Sequence, residues 1–180
     1  MPKHIENLRE ALIEEARRQV LGSGYAALTI RSVAKKCGVA VGTVYNYFAS
    51  KEALTAEFML EDWRVCRAEI EAQRDVVSDE LSMLKVITEG LGRFCREHEK
   101  LFSDPDARIS YMSVSAGQHV LFRDEITDII ASFRPETDPS SFAARLAAEG
   151  IVMSIREGLT AEEIYPPLLT LLRGRAGTEQ

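Results

Sequence analysis

Between Leu28 and Leu54 the chain reads LTIRSVAKKCGVAVGTVYNYFASKEAL, the stretch whose residue types and spacing point most directly to a chemistry. Ile30, Val33 and Ala34 share one face of a first short helix, and Val39, Val44 and Phe48 the buried face of a second. Burying them turns Thr43, Tyr45, Asn46 and Tyr47 outward, with Arg31, Lys35, Lys36 and Lys51 around them. A hydroxyl, an amide and two phenols ringed by cations are groups that can hydrogen-bond to base edges and phosphate oxygens. Gly38 supplies the tight turn between the two helices, so the segment has the parts of a helix-turn-helix.

Other chemistries find little support. There is no glycine-rich phosphate loop, no GxSxG and no paired His/carboxylate spacing, so no catalytic residue is assigned and the chain is not expected to be an enzyme. Cys37, Cys66 and Cys95 are odd in number and lack CxxC spacing, which argues against a disulfide framework and against zinc. Three reduced thiols are expected, and neither a metal nor a cofactor. Cys66 and Cys95 could sense redox state, but no electropositive setting for them is visible.

The elements that must position the segment come from bulk composition and periodicity. A chain of 180 residues, 46% hydrophobic and 28% charged, can bury a sizeable core and should be soluble. No apolar run approaches the roughly 18 residues of a membrane span, and the N-terminus lacks the apolar region of a signal peptide, so a cytoplasmic protein with no membrane partner is expected. The net charge of −6 is unevenly spread: residues 1–51 hold 8 Lys+Arg against 4 Asp+Glu, while residues 52–180 hold 14 against 24. A basic head on an acidic body results, and attraction to polyanions follows the local field and not the total.

Helical periodicity runs almost throughout, which predicts an all-α fold of about nine helices. The first spans about residues 5–21, with Ile5, Leu8, Leu12, Ala16 and Val20 on one face, and Gly22 and Gly24 end it. Thr29 caps a helix over 30–37, a third covers about 40–48, and Ser50 caps a long fourth helix to about residue 76. The fourth carries the stripe Leu54, Phe58, Met59, Trp63, Cys66 and Ile70. A fifth helix over about 79–102 places Leu84, Ile87, Leu91, Phe94, Cys95, His98 and Leu101 on one side. Helices at about 107–114, 119–133 and 139–157 follow, the last capped by Asp138 and stopped by Gly158. Thr160 and Glu163 form a capping box for a final helix, which Pro166 and Pro167 should break before it restarts through Leu172.

Residues 8–54 resemble the DNA-binding domain of the TetR family of transcriptional regulators. The resemblance is carried by Gly24-Tyr25, Leu28-Thr29, Val33-Ala34, Gly38-Val39, the run from Gly42 to Phe48, and Ser50 to Leu54. It implies an N-terminal three-helix DNA-binding domain over residues 1–50 and a helical effector-binding and dimerisation domain over 51–180. It also implies roles: Thr43, Tyr45, Tyr47 and Lys51 at the DNA backbone, and Arg31, Val41 and Gly42 near base edges or sugars. Where many relatives have Ser at the start of the third helix, this chain has Ala40, which cannot cap. Base reading would then lean on Arg31, Thr43 and Asn46, together with DNA shape.

For the body the resemblance implies a small-molecule effector pocket and repression in preference to activation. Met59, Trp63, Phe94, His98, Tyr111, His119 and Phe122 are the candidate lining, although for any one of them plain core packing is the simpler account. A single recognition helix reads few base pairs, so two-fold pairing on a palindromic, double-stranded operator is expected. Ala143, Ala147, Gly150 and Ser154 form a lane of small residues for such a homodimer. Leu146 and Met153 flank it, and Leu168 and Leu172 extend it; the alternative to a partner contact is that the lane packs inside one subunit against the fifth helix. The alternative is a helical protein-interaction module without sequence-specific DNA binding.

Overall fold

The computed structural model describes residues 7–107, 123–131 and 142–173. Among them every regular element is helical, and none of the helices is long and apolar enough to cross a membrane. The elements are α1 (Leu8–Ser23), a 3-10 turn (Tyr25–Ala27), α2 (Ile30–Cys37), α3 (Val41–Tyr45), α4 (Lys51–Ala72), α5 (Glu80–Glu97), α6 (Glu99–Phe102), α7 (residues 123–131), α8 (Phe142–Arg156) and α9 (Ala161–Arg173). Ile5, Tyr111, His119, Phe122, the cap at Asp138 and most of the helix expected at 107–114 lie outside the described residues.

The chain forms two compact units, one of Met1–Trp63 with Glu97–Gly117, the other of Arg64–Arg96 with Gln118–Gln180. The boundary drawn from the sequence at residues 50 and 51 falls inside the first unit, at the start of α4.

In the first unit α1 buries Leu12, Ile13, Ala16 and Val20, steps of one, three and four residues that draw a single helical face. Gly24 ends it at φ 86°, and its N–H donates to Val20 O at 2.8 Å. Lys100 of α6 donates to the free carbonyl of Gly22 at 2.6 Å, a cation at a helix C-terminus. The stripe expected on α4 is buried throughout: Leu54, Phe58 and Met59 at 0%, Trp63 and Ile70 at 2% and Cys66 at 7% exposure.

The expected fifth helix is interrupted. α5 stops at Glu97, His98 leaves helical geometry (φ −101°, ψ 15°), and α6 resumes for one turn. The cause is tertiary. The buried ring of His98 is bonded to Asp62 of α4 at 2.8 Å, beside the rings of Phe58 and Phe102, and Asp62 also pairs with Arg17 of α1 at 2.8 Å. Three helices of the first unit therefore meet at one carboxylate.

In the second unit Asp79 caps α5 by accepting from the Ser82 N–H at 3.0 Å. The core includes Met83, Leu84, Ile87, Leu91, Ile126, Ile129, Ile130, Ala144, Ala147, Ala148, Ile151, Ile164 and Leu168. Gly158 ends α8 at φ 85°. Glu163 accepts from the Thr160 backbone N–H (2.8 Å), one half of the expected capping box; the Thr160 hydroxyl also donates to the Glu163 carboxylate (2.9 Å), and the Glu163 N–H goes to Thr160 O at 3.1 Å. The break expected at Pro166 and Pro167 is absent, and α9 runs through both. Both prolines lie on the exposed side, while Ile164 and Leu168 anchor the buried side before and after them. Packing against α8 thus holds the helix across the two missing N–H groups, and the Thr170 hydroxyl donates to Pro166 O at 3.1 Å.

α4 and α5 cross closely at Gly90. A Cβ there would fall 2.8 Å from Ile70 Cγ1 and 2.9 Å from its Cδ1. Gly90→Ala should cost about 1 kcal/mol or more through overpacking. Against an Ile70→Ala background the same change should instead stabilise by about 0.5–1 kcal/mol, because only the helix-propensity gain remains. Denaturant unfolding of the four proteins tests this change of sign.

Candidate nucleic-acid interface

α2 is fixed at both ends. Thr29 accepts the Ser32 N–H at 2.9 Å, and Ser32 Oγ accepts the Thr29 N–H at 3.1 Å, a reciprocal box. Gly38 closes the helix at φ 70°, a left-handed conformation suited to glycine. α3 is shorter than the sequence suggests, five residues followed by a turn, and Ala40 makes no side-chain cap, as its methyl requires. What holds α3 is its buried side: Val44 is fully buried and Phe48 is 5% exposed, while Val39 is only half-buried.

The opposite side of α3 faces out. Val41, Gly42, Tyr45, Asn46 and Tyr47 are exposed and Thr43 half-buried, with Tyr45 at 54% and Tyr47 at 47% exposure. Arg31, Lys35 and Lys36 of α2 are exposed beside it in sequence, and Lys51 stands half-buried at the start of α4. The structure thus leaves the outer side chains of this segment where a second molecule can reach them.

Gly42 is informative. Its backbone is not in the left-handed region, and an added Cβ would meet nothing within 4 Å. Neither local conformation nor packing within the chain requires glycine there. The bare backbone there leaves room for the close approach of a ligand surface.

Electrostatics separate the basic residues into two sets. Arg9 pairs with Glu57 at 2.6 Å, Arg17 with Glu61 at 3.0 Å, with Asp62 and with Glu14, and Arg18 with Glu15 at 2.6 Å. Arg31, Lys35, Lys36 and Lys51 have no carboxylate within 4.0 Å among the described residues. The acids of α1 and α4 pair with the cations of α1 and leave those of the helix-turn-helix without a direct ion pair.

Lys51 is nevertheless held. Its ammonium lies 3.9 Å from the ring centroid of Tyr25, whose hydroxyl donates to Glu52 at 3.0 Å. Burial pushes the Glu52 carboxyl up. Hydrogen bonds from Ser50, its own backbone N–H and Tyr25, together with the Lys51 charge, outweigh burial and hold it below the usual carboxylate range. Sequence reasoning gave Tyr25 no role, though an aromatic next to Gly24 at the end of α1 was its visible signal. Asp62 went unnoticed as well. Its signal was a carboxylate four residues after Phe58, on the apolar side of α4.

The remaining candidates divide. Met59, Trp63 and His98 are buried in the first unit and Phe94 in the second, and His98 is a hydrogen-bonded core histidine. The small-residue lane of α8 does not form one outer surface. Ala147 is fully buried and Leu168 8% exposed within the single chain, and a Cβ on Gly150 would lie 3.5 Å from Leu168 Cδ2 of the same chain. Ala147 and Leu168 are therefore corrected from partner contacts to intrachain packing. Ser154 is half-buried, while Leu146 and Met153, two turns apart on α8, are exposed at 43% and 53%. The side chains of Ala143 and Leu172 lie outside the described set.

Residues 12–58 match the family model of the bacterial regulatory proteins of the tetR family. The HTH-type transcriptional regulator UidR of Escherichia coli (strain K12) is 29% identical over 62 residues, 34% of this chain. The matched stretch spans about a third of that relative, 32% of its length. Among solved structures the chain is similar to Thermus thermophilus FadR, a TetR family transcriptional repressor in complex with lauroyl-CoA. The TM-score is 0.65 at 18% identity, covering 96% of this chain and 97% of that one. The multidrug binding protein EbrR complexed with imidazole gives a TM-score of 0.58 at 19% identity, over 93% and 96% of the two chains. At these identities the structural likeness concerns the fold.

The open position at Gly42 leads to a clean separation of folding from binding. Gly42→Ala should leave the thermal midpoint unchanged or slightly raised, yet weaken binding to duplex DNA about tenfold, as an overpacked contact typically costs ~1–3 kcal/mol. Fluorescence anisotropy beside a melting curve measures both.

Proposed function

We propose that this chain, whose N-terminal segment is a DNA-binding domain of the tetR family of bacterial regulatory proteins, is a ligand-responsive transcriptional repressor. In this reading it acts in the cytoplasm, binds a palindromic operator as a homodimer and is released by a small-molecule effector. The observation that carries the reading is the separation of charge. Around an exposed, polar α3 the cations Arg31, Lys35, Lys36 and Lys51 have no direct ion pair among the described residues, while every arginine of α1 is paired. A surface so arranged gains counterion-release energy from phosphates, with Thr43, Tyr45 and Tyr47 near the backbone and Arg31, Val41, Gly42 and Asn46 near base edges. Residues 1–50 serve as the reader, and residues 51–180 as the effector-binding and dimerisation part.

An effector must bind the DNA-free conformation more tightly than the DNA-bound one, or it shifts nothing. The burial of the apolar side chains of Met59 and Trp63 supports a largely apolar compound, and ligand complexes of similarly folded proteins support an effector role for the body. For the dimer, Leu146 and Met153 are the apolar area that α8 presents outward.

Binding to duplex DNA from beside its own gene should show a steep inverse dependence on salt, and Lys51→Ala should lower that slope by about one unit. A salt-independent affinity, or none for any duplex, would overturn the assignment. For assembly, the variant combining Leu146→Glu and Met153→Glu should sediment as a folded monomer with much weaker operator binding. An unchanged dimer places the interface elsewhere. Gly150→Arg is a poor probe, because a Cβ there already touches Leu168 of its own chain and a changed oligomeric state could reflect a disturbed α8–α9 contact.

A further inference from the structure

Lys51 occupies a position that ought to disfavour it. It is the first residue of α4, where the helix dipole presents positive charge, and the nearest acid in sequence is Glu52, the next residue of the same helix. No Lys51–Glu52 ion pair forms within 4.0 Å. The Glu52 carboxylate is turned to the hydroxyl of Tyr25 at 3.0 Å, and the ammonium of Lys51 sits over the same ring, 3.9 Å from its centroid. Tyr25 is itself only 2% exposed, so the platform is rigid.

The two contacts complement each other. The hydroxyl engages the carboxylate that would otherwise cancel the lysine, and the ring face attracts the ammonium through its quadrupole. A carboxylate partner would neutralise the lysine. An aromatic face carries no net charge, so it orders the cation and leaves its full charge for another anion. Ordering in advance also reduces the side-chain entropy lost on binding.

We propose that Tyr25 is a positioning residue for DNA binding: it keeps Lys51 ordered and out of a direct ion pair by drawing Glu52 to its hydroxyl and placing the ammonium on its ring. The inference rests on the DNA-binding reading above and deepens it by assigning the specific work of a residue that touches no DNA itself. It predicts that removing the phenol hydroxyl alone, with the ring retained, lowers affinity for phosphate, because Glu52, then held only by Ser50 and its own backbone N–H, is freer to turn toward Lys51.

The test is a double-mutant cycle in the full chain, read by the salt dependence of binding to a fluorescently labelled mixed-sequence duplex. Tyr25→Phe should bind about two- to fivefold more weakly, with a salt slope moving toward that of Lys51→Ala. Adding Tyr25→Phe to Lys51→Ala should bring no further loss, since Tyr25 acts through Lys51. Glu52→Gln should raise affinity more in the Tyr25→Phe background than in the wild type. An equal gain in both would mean only that an acid has been removed near DNA, and would overturn the proposal. So would a Tyr25→Phe protein with the wild-type slope, or a loss that persists without Lys51, which would mark a purely structural role. A wild-type chain that binds no duplex at low salt would overturn the DNA-binding reading itself, an outcome distinct from a wild type that binds normally beside an unaffected Tyr25→Phe.

Discussion

The first unit depends on the carboxylate of Asp62. It meets Arg17 of α1 through one oxygen and the buried imidazole of His98 through the other, so helices far apart in sequence are fastened to the same point of α4. Charges taken partly out of water are favourable only when their partners are well placed, and here each partner is fixed by packing of its own. Arg17 is flanked by Glu14 and Glu61, and His98 lies beside Phe58 and Phe102. The scaffold beneath the helix-turn-helix is therefore set by directional contacts as well as by apolar area, with the lysine clasp of α6 on the end of α1 adding a third.

That arrangement explains what could be read along the chain and what could not. The α4 stripe was legible because a period of 3.6 residues is a local property, and each of its six members is buried. The Thr29 box and the turns at Gly24 and Gly38 were legible because a cap is written in adjacent residues. The stop at His98 was not, since the periodicity of α5 continues past it and the cause sits 36 residues away at Asp62. Pro166 and Pro167 misled in the other direction. Their local penalty is real, but contacts of Ile164 and Leu168 outweigh it.

The candidate site shows the same division. Which residues of α3 face outward followed from knowing that Val44 and Phe48 face inward. Which cations lack an ion pair did not follow, because neutralisation of Arg9 and Arg17 involves acids of α4, 48 positions away at Glu57 and 44 at Glu61. The α8 lane is divided for a related reason. Small residues mark close packing but do not say whether the neighbour belongs to the same chain, and at Ala147 the burial is already complete within one chain.

The brevity of α3 has a consequence of its own. A five-residue helix without a cap is far below the length at which a helix persists alone, so its shape is imposed by two inward side chains and by the turns at either end. The outward positions contribute little to that shape. They form an interchangeable face: residues such as Val41, Thr43, Tyr45 and Asn46 can be exchanged in the course of evolution with little cost to the scaffold, provided Val44 and Phe48 stay. A lineage carrying this fold can therefore drift from one target to another by a few substitutions while the machinery behind the face keeps working.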